Sequence, residues 1–230
     1  MDNDHPRQKE IVNKLIHKSN LKLRVFDKTF AALGELKEVL HELSTDIDEA
    51  CEDSLDRRIR IEYRDRGKFE AQVQIAGDII IFSMHSNVFE FSDEHPIKQI
   101  NYVQENPNNS FCGVINIYNF LSDSFKFNRN SDEGYLIGRI FINQNNMYFV
   151  EGNISSKIKC QDFGTKTINK DELKDIIESA IDYTLDFDLL VQPYENAKLA
   201  EVDQFNTKFE NSKMQTGKRL GYNYDVDKIF

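Results

Sequence analysis

The chain has 230 residues, of which 40% are hydrophobic and 30% charged, and its formal net charge at pH 7 is −10. This length allows one large domain, or one domain with an appended arm. Because phosphate backbones repel an acidic chain, nucleic-acid binding would require a local basic patch.

The cysteines and the apolar runs set expectations about the environment of the chain. Cys51, Cys112 and Cys160 are odd in number and far apart, and none forms a C-x-x-C pair. This pattern argues against a disulfide framework and excludes a zinc ribbon. No run approaches the roughly 20 apolar residues of a transmembrane helix, and the polar start of the chain lacks the features of a signal peptide. We therefore expect a cytoplasmic protein with reduced thiols and no membrane segment.

A helical segment is predicted over residues 7–53. Its apolar residues recur mostly at steps of three, four or seven, as one stripe of a helix requires. They are Val12, Ile16, Leu23, Phe26, Phe30, Leu33, Leu36, Leu40, Leu43 and Ile47. One helix of this length would be roughly 70 Å long, whereas a compact domain of this size has a radius of gyration of only about 17 Å. The helix therefore breaks, at Ser19-Asn20 or Gly34, or pairs with another chain.

The two halves of this segment carry opposite charges. The basic residues are Arg7, Lys9, Lys14, Lys18, Lys22, Arg24 and Lys28, and the acidic residues are Glu35, Glu38, Glu42, Asp46, Asp48, Glu49, Glu52 and Asp53. Antiparallel packing would pair these charges, either in a hairpin bent near Gly34 or across an antiparallel dimer. In the alternative, the segment only caps the sheet of its own chain. We predict an N-terminal helical arm over residues 1–55 and a sheet domain with C-terminal helices over residues 56–230.

A series of short strands is predicted after the helical segment. Alternation of polar and apolar residues predicts a hairpin over 59–75 with its turn at 65–68, and a buried strand follows at 79–84. Further strands are predicted at 87–91, 97–104, 111–121, 125–127 and 157–161. The apolar runs of residues 134–152 flank Asn143-Gln144-Asn145-Asn146, which is typical of a hairpin loop. We place this hairpin at the centre of the sheet.

Two helices are predicted near the end of the chain. The first covers 169–191, with Asn169 as its N-cap and Glu172 in the position of a capping box. The second covers about 195–212. The fold class is therefore α+β: an antiparallel β meander, curved or barrel-like, flanked by a long N-terminal helix or helical hairpin and by two C-terminal helices.

Polar residues within the apolar strands are the candidate ligand-binding site. Arg139 has apolar neighbours on both sides in the sequence, and a charge in such a strand is costly unless it is paired. We expect Tyr135 and Arg139 to share one face. The candidate residues of a concave face that binds an anionic or polar ligand are Asn116, Tyr118, Tyr135, Arg139, Tyr148 and His85. In the alternative, the face points outward and Arg139 pairs with a surface carboxylate.

A second candidate surface lies on the first predicted strand. Arg58, Arg60 and Arg64 face the same way there and could bind phosphates or an acidic partner. Glu62 interrupts this group, and the acidic residues 49–53 could neutralise it within the chain.

The motifs of common enzymes are absent, including G-x-S-x-G, the P-loop and H-E-x-x-H. We therefore predict a non-enzymatic cytoplasmic protein that binds a protein or a ligand and forms a homodimer through its helical ends. It needs no cofactor and no metal. One alternative is an enzyme with a site at the mouth of the sheet, using His85 or Arg139. Another is a nucleic-acid-associated protein that uses the basic residues of 57–68.

Overall fold

The computed structural model describes residues 6–56, 59, 61–158, 163–188, 191 and 193–198. The α-helices in these residues are α1 (Pro6–Lys14), α2 (Asn20–Cys51), α3 (Asn101–Glu105), α4 (Ser122–Lys126), α5 (Lys170–Leu185) and α6 (Tyr194–Ala197). A π-helical turn, Leu15–Ser19, joins α1 to α2, and 3₁₀ turns cover Pro96–Gln99, Pro107–Ser110 and Asn153–Lys157. The strands are β1 (Ile61–Asp65), β2 (Glu70–Ile75), β3 (Asp78–Met84), β4 (Phe89–Glu90), β5 (Phe111–Leu121), β6 (Tyr135–Asn143) and β7 (Tyr148–Glu151).

The seven strands form one antiparallel sheet, which is not closed into a barrel. Its order is β1-β2-β3-β5-β6-β7, and β4 pairs with the start of β5 beyond the end of β3. The long N-terminal helix, the antiparallel sheet and the further helices confirm the predicted α+β class. Helices α2 and α5 cover one face of the sheet, which we call the helix face. We call the opposite face of the sheet the outer face.

The N-terminal helix does not fold back into a hairpin. Lys14, Ser19 and Asn20 all have right-handed helical backbone angles, so α1, the π turn and α2 are continuous. Gly34, a predicted break, lies inside α2. The helix therefore reaches the roughly 70 Å expected for its residue count. The predicted break at Ser19-Asn20 corresponds only to the end of the π turn.

The main core lies between the sheet and two helices, α2 and α5. Leu36 of α2, Ile115 of β5 and Ile176 of α5 are fully buried in it. The N-cap prediction for α5 is confirmed, because the Asn169 side chain accepts a hydrogen bond from the Glu172 amide at 3.0 Å. Such a cap satisfies an amide that has no partner within the helix.

A lysine of α2 holds the turn between β1 and β2. The Lys37 ammonium donates to the Asp65 carboxylate at 2.8 Å and to the Gly67 carbonyl at 2.5 Å. The hydrogen bond from Lys37 lowers the pKa of Asp65, and the Gly67 amide adds to this effect. Gly67 has φ +97°, a conformation that favours glycine. These contacts fix the position of a turn that borders the cleft described below.

Two predicted strands are helical. Residues 97–104 form a 3₁₀ turn followed by α3, because Pro96 begins a turn and the His95 imidazole caps it, accepting from the Ile97 amide at 3.3 Å. Residues 125–127 lie at α4 and its C-cap, where the chain reverses between β5 and β6. In both segments the apolar residues therefore lie on helical turns and not on a strand.

The hairpin of β6 and β7 exists as predicted, but its place in the sheet differs. β5 lies inside the sheet between β3 and β6, whereas β7 is an edge strand. Of the predicted strand 157–161, residue 157 ends a 3₁₀ turn and residues 159–162 lie outside the described residues. Of the predicted helix 195–212, α6 covers only the start, and residues from 199 onward lie outside them.

Cys112 is fully buried in β5, and burial strongly raises the pKa of its thiol. Cys51 is partly exposed at the end of α2, and Cys160 lies outside the described residues. Within the described residues, no helix combines the length and apolar character needed to cross a membrane.

Candidate functional site

The outer face of the sheet is covered at both ends and open between them. At one end Phe91 packs against Phe141 and Phe149, with ring centroids 5.0 and 5.7 Å apart. At the other end Phe125 packs edge-on against Phe120 at 5.4 Å. The open middle is where polar side chains of neighbouring strands come together.

One row of polar side chains crosses five strands on this face. Register partners in an antiparallel sheet point to the same side, and the pairing runs from strand to strand. The row is Glu70 of β2, Ser83 of β3, Asn116 of β5, Arg139 of β6 and Glu151 of β7. We call it the polar row. Four of its members are paired: the Ser83 hydroxyl bonds Glu70 at 3.1 Å, and Arg139 contacts Glu151 at 2.5 Å. The carboxamide of Asn116 has no hydrogen bond to any described residue.

A cleft of about 520 Å³ opens at the β2 end of the polar row. The turn between β1 and β2 forms one wall, and the residues at and after the end of β3 form the other. The lining residues are Arg66, Lys68, Phe69, Glu70, Ser83, Met84, His85, Ser86 and Asn116.

The basic side chains of the cleft rest on aromatic rings and amides. The Lys68 ammonium lies 5.2 Å from the centroid of the Phe69 ring, and the Arg66 guanidinium lies 4.9 Å from that of Phe125. The Nε of Arg66 also donates to the side chain of Gln72. Such contacts limit the rotamers of long cationic side chains while their charged ends stay available.

Three of the predicted site residues share the outer face. Asn116 and Arg139 are direct register partners, and Tyr118 is two residues further along β5. The Tyr118 ring lies 6.3 Å from that of Phe120. His85 lines the cleft together with Asn116, whereas Arg139 lies further along the row, where it pairs with a surface carboxylate.

Tyr135 and Tyr148 lie on the helix face, so the prediction that Tyr135 shares a face with Arg139 is wrong. A bulge shifts the register between β5 and β6: Ile117 pairs with Gly138 and Tyr118 pairs with Leu136. The extra residue in β6 reverses the side to which the residues before it point. Tyr135 therefore packs against the main core.

Tyr148 makes a buried contact between the sheet and α5. It is 3% exposed in the main core, and its hydroxyl donates to the Glu172 carboxylate at 2.5 Å. This hydrogen bond connects β7 to the first turn of α5. An acidic side chain in that turn also interacts favourably with the helix dipole.

The predicted arginine surface is described only in part. Arg64 lies on β1 and contacts Glu62 at 2.8 Å, and this hydrogen bond raises the pKa of Arg64. Arg58 and Arg60 lie outside the described residues. The neighbouring glutamate therefore compensates the charge of the one described member.

No sequence pattern assigns Ser83 or Glu70 to a site, and the charge pattern places Arg66 and Lys68 only in the general basic stretch 57–68. Arg66 and Lys68 lie in the predicted turn 65–68. Because the strand that follows this turn pairs with the next strand, the pattern indicates that these two residues lie near the end of that next strand. The register that makes Ser83 the partner of Asn116 has no equally local signal.

A second candidate surface is the start of the long helix. Residues 6–20, which we call the overhang, include no buried residue. Ile11, Val12, Leu15 and Ile16 are 51%, 47%, 59% and 53% exposed there. Leu23, one turn into α2, is 58% exposed. An apolar stripe thus continues past the part of the helix that the sheet covers.

Among the described residues, no group of three or more His, Cys, Asp or Glu side chains is placed to hold a metal ion. Compared with known protein families, curated proteins and solved structures, the chain has no significant match.

Proposed function

We propose that this chain is a non-enzymatic interaction protein that self-associates as an antiparallel homodimer through its N-terminal helix. The observation that carries the proposal is the overhang. Residues 6–20 extend the helix by about 22 Å at 1.5 Å per residue, and their apolar side chains contact no buried core. Exposed apolar groups arranged along one element mark interaction surfaces.

The spacing of the exposed apolar residues supports a helix as the partner. Ile16, Leu23 and Phe30 follow one another at seven-residue intervals and are 53%, 58% and 36% exposed. Residues seven apart in an α-helix, here Leu23 and Phe30 of α2, lie close to one line and form the seam of a coiled coil. The buried residues of α2, such as Val25 and Leu36, face the sheet instead.

The charges support a second copy in the antiparallel direction. If Leu23 lies level with Phe30 of the partner, residue n lies level with residue 53−n. Lys18 is then level with the partner's Glu35, and the basic overhang lies along the exposed acidic half of α2. Glu35, Glu38 and Glu42 are all exposed. The opposite overall charges of the two helix halves favour this antiparallel direction.

The test is the mass of the full chain in solution, measured by light scattering coupled to size exclusion. We expect twice the chain mass of 26.9 kDa, and we expect the double substitution Leu15→Ser and Ile16→Ser to return the monomer mass. The matched control is Leu136→Ser, because Leu136 is 43% exposed on the outer face. That variant should keep the dimer.

A monomer mass for the unaltered chain at about 100 µM, far above the dissociation constant of a specific dimer, would contradict the proposal. So would a dimer that survives the double substitution but is lost on Leu136→Ser. Circular dichroism of each variant checks that the helix is retained.

A further inference from the structure

The cleft on the outer face differs from the rest of this acidic chain in the balance of its polar groups. Its described lining holds two permanent cations, Arg66 and Lys68, and one carboxylate, Glu70. The Ser83 hydroxyl already bonds that carboxylate at 3.1 Å. On a chain with a net charge of −10, a cationic cleft is a local exception, and fields of this kind concentrate ligands of the opposite charge.

The neutral groups of the cleft also supply donors. The Nδ1 of His85 accepts a hydrogen bond from the Asn87 amide at 3.0 Å. A neutral imidazole that accepts at one nitrogen carries its proton on the other, so Nε2 is a donor. The His85 ring is held edge-on against Phe89, with centroids 4.8 Å apart. Ser86 adds a hydroxyl to the same wall.

Asn116 provides the last donor. Its carboxamide lies at the inner end of the cleft, in the middle of the polar row, and bonds no other described residue. The other members of the row are paired with one another and are thereby fixed in place. A partly buried amide on a rigid central strand is a suitable orienting group, because pockets use a few well-placed polar groups to bind a ligand in one orientation.

From this arrangement we infer that the cleft binds the oxyanion group of a small molecule, a phosphate or a carboxylate. Lys68 and Arg66 supply the charge, and Asn116, His85 and Ser86 donate hydrogen bonds. Charge-assisted hydrogen bonds of this kind are stronger than neutral ones. The inference does not rest on the dimer, although the Lys68 ammonium also lies 5.6 Å from the ring centroid of Phe30, a residue of the proposed helix pair.

The experiment is a titration of the full chain, labelled with ¹⁵N and deuterium, followed by its backbone amide NMR signals. Inorganic phosphate and citrate are added separately, with sodium chloride at matched ionic strength as the reference. We expect saturable shifts at Ser83, His85, Ser86 and Asn116 with at least one of the two anions. Saturation by phosphate alone identifies a phosphoryl group as the ligand, and saturation by citrate alone identifies a carboxylate.

Variants separate a built site from general charge effects. Lys68→Gln should weaken binding about tenfold, and Asn116→Asp, which keeps the size and adds a negative charge, should weaken it by at least that factor. Arg64→Gln is the matched control, because Arg64 lies on the same sheet but not in the cleft. It should change the affinity less than about twofold. Lys68 is exposed, so its variant keeps the fold.

Shifts that rise linearly and equally with chloride would overturn the inference. So would an equal loss of affinity in Arg64→Gln and Lys68→Gln, or an affinity for phosphate and citrate that Asn116→Asp leaves unchanged. Because Lys68 also contacts the Phe30 ring, light scattering of Lys68→Gln checks that this variant keeps the mass of the unaltered chain. Asn116→Asp alters no residue of the helix, so the two proposals fail separately.

Discussion

The two parts of the N-terminal helix both carry apolar residues at helical spacing, but their surroundings differ. Between Leu21 and Ser44, one side of α2 is buried against the sheet and α5, and several of its side chains have an exposure of 0–1%. In the overhang, Ile16 and Leu15 are more than half exposed. The comparison shows that a helical stripe specifies a face to be buried but not the partner that buries it. The sheet buries one part, and we assign the other to a second copy.

The largest expected difference between the two parts comes from truncating one apolar residue in each. Leu36→Ala removes a side chain with 0% exposure and should lower the free energy of unfolding by about 2–5 kcal/mol, because a cavity remains in the core. Ile16→Ala should change it by less than about 0.5 kcal/mol in the monomer. Urea denaturation followed by circular dichroism, at concentrations that keep the chain monomeric, measures both. Equal losses would contradict the distinction.

A second test uses the close approach of α2 to β5. A Cβ added at Gly113 would lie 2.2 Å from the Thr29 hydroxyl oxygen and 2.8 Å from its Cβ. Thr29 is fully buried and its hydroxyl donates to the Val25 carbonyl at 2.8 Å, so it has little room to move. Gly113→Ala should therefore destabilise the fold by about 1–3 kcal/mol through overpacking. Thermal unfolding measures this, and an unchanged midpoint would show that helix and strand lie further apart.

Salt tests the proposed antiparallel direction. This direction places the basic overhang along the acidic half of the partner's α2. Raising the ionic strength from about 0.05 M to about 0.5 M should therefore raise the dimer dissociation constant several-fold, because salt screens exposed charges. Sedimentation equilibrium measures the constant at both ionic strengths. A dissociation constant that falls or stays the same on adding salt would contradict the antiparallel direction.

The smallest expected effect is at Gly34, on the exposed side of α2. A Cβ there would meet nothing within 4 Å, and alanine favours the helix over glycine by roughly 0.5–1 kcal/mol. Gly34→Ala should therefore raise the unfolding midpoint by a few degrees, opposite in sign to Gly113→Ala. A lower midpoint at every protein concentration would show that this side of the helix is not free in the monomer.

The parts of the fold that were predictable have strong local signals. The stripe from Leu33 to Leu43 predicted α2, and Asn169 with Glu172 predicted the start of α5, because both patterns report the helical repeat itself. The hairpin of β6 and β7 followed from its Asn-rich loop. Its position near one side of the sheet did not, since strand order depends on pairing between distant segments.

The candidate site was predictable only where strand alternation is regular. Asn116 and Tyr118 share a face as expected, because β5 alternates without interruption. Tyr135 does not lie beside Arg139, because one extra residue in β6 changes the side, and no residue of GYLIGRIFIN marks this bulge except Gly138. The apolar residues of 97–104 predict a strand, but Pro96 and the His95 cap favour the turn that the structure shows.

The most direct test of the antiparallel helix pair is disulfide cross-linking between two variants that each carry one introduced cysteine, Leu23→Cys and Phe30→Cys. Cys51 and Cys160 are replaced by serine in both, and buried Cys112 is kept. We expect mild oxidation to cross-link a mixture of the two variants but neither variant alone, because seven residues separate equal positions by about 10 Å along the axis. Cross-linking of Leu23→Cys with itself as efficiently as in the mixture, or no cross-linking in any sample, would contradict the account.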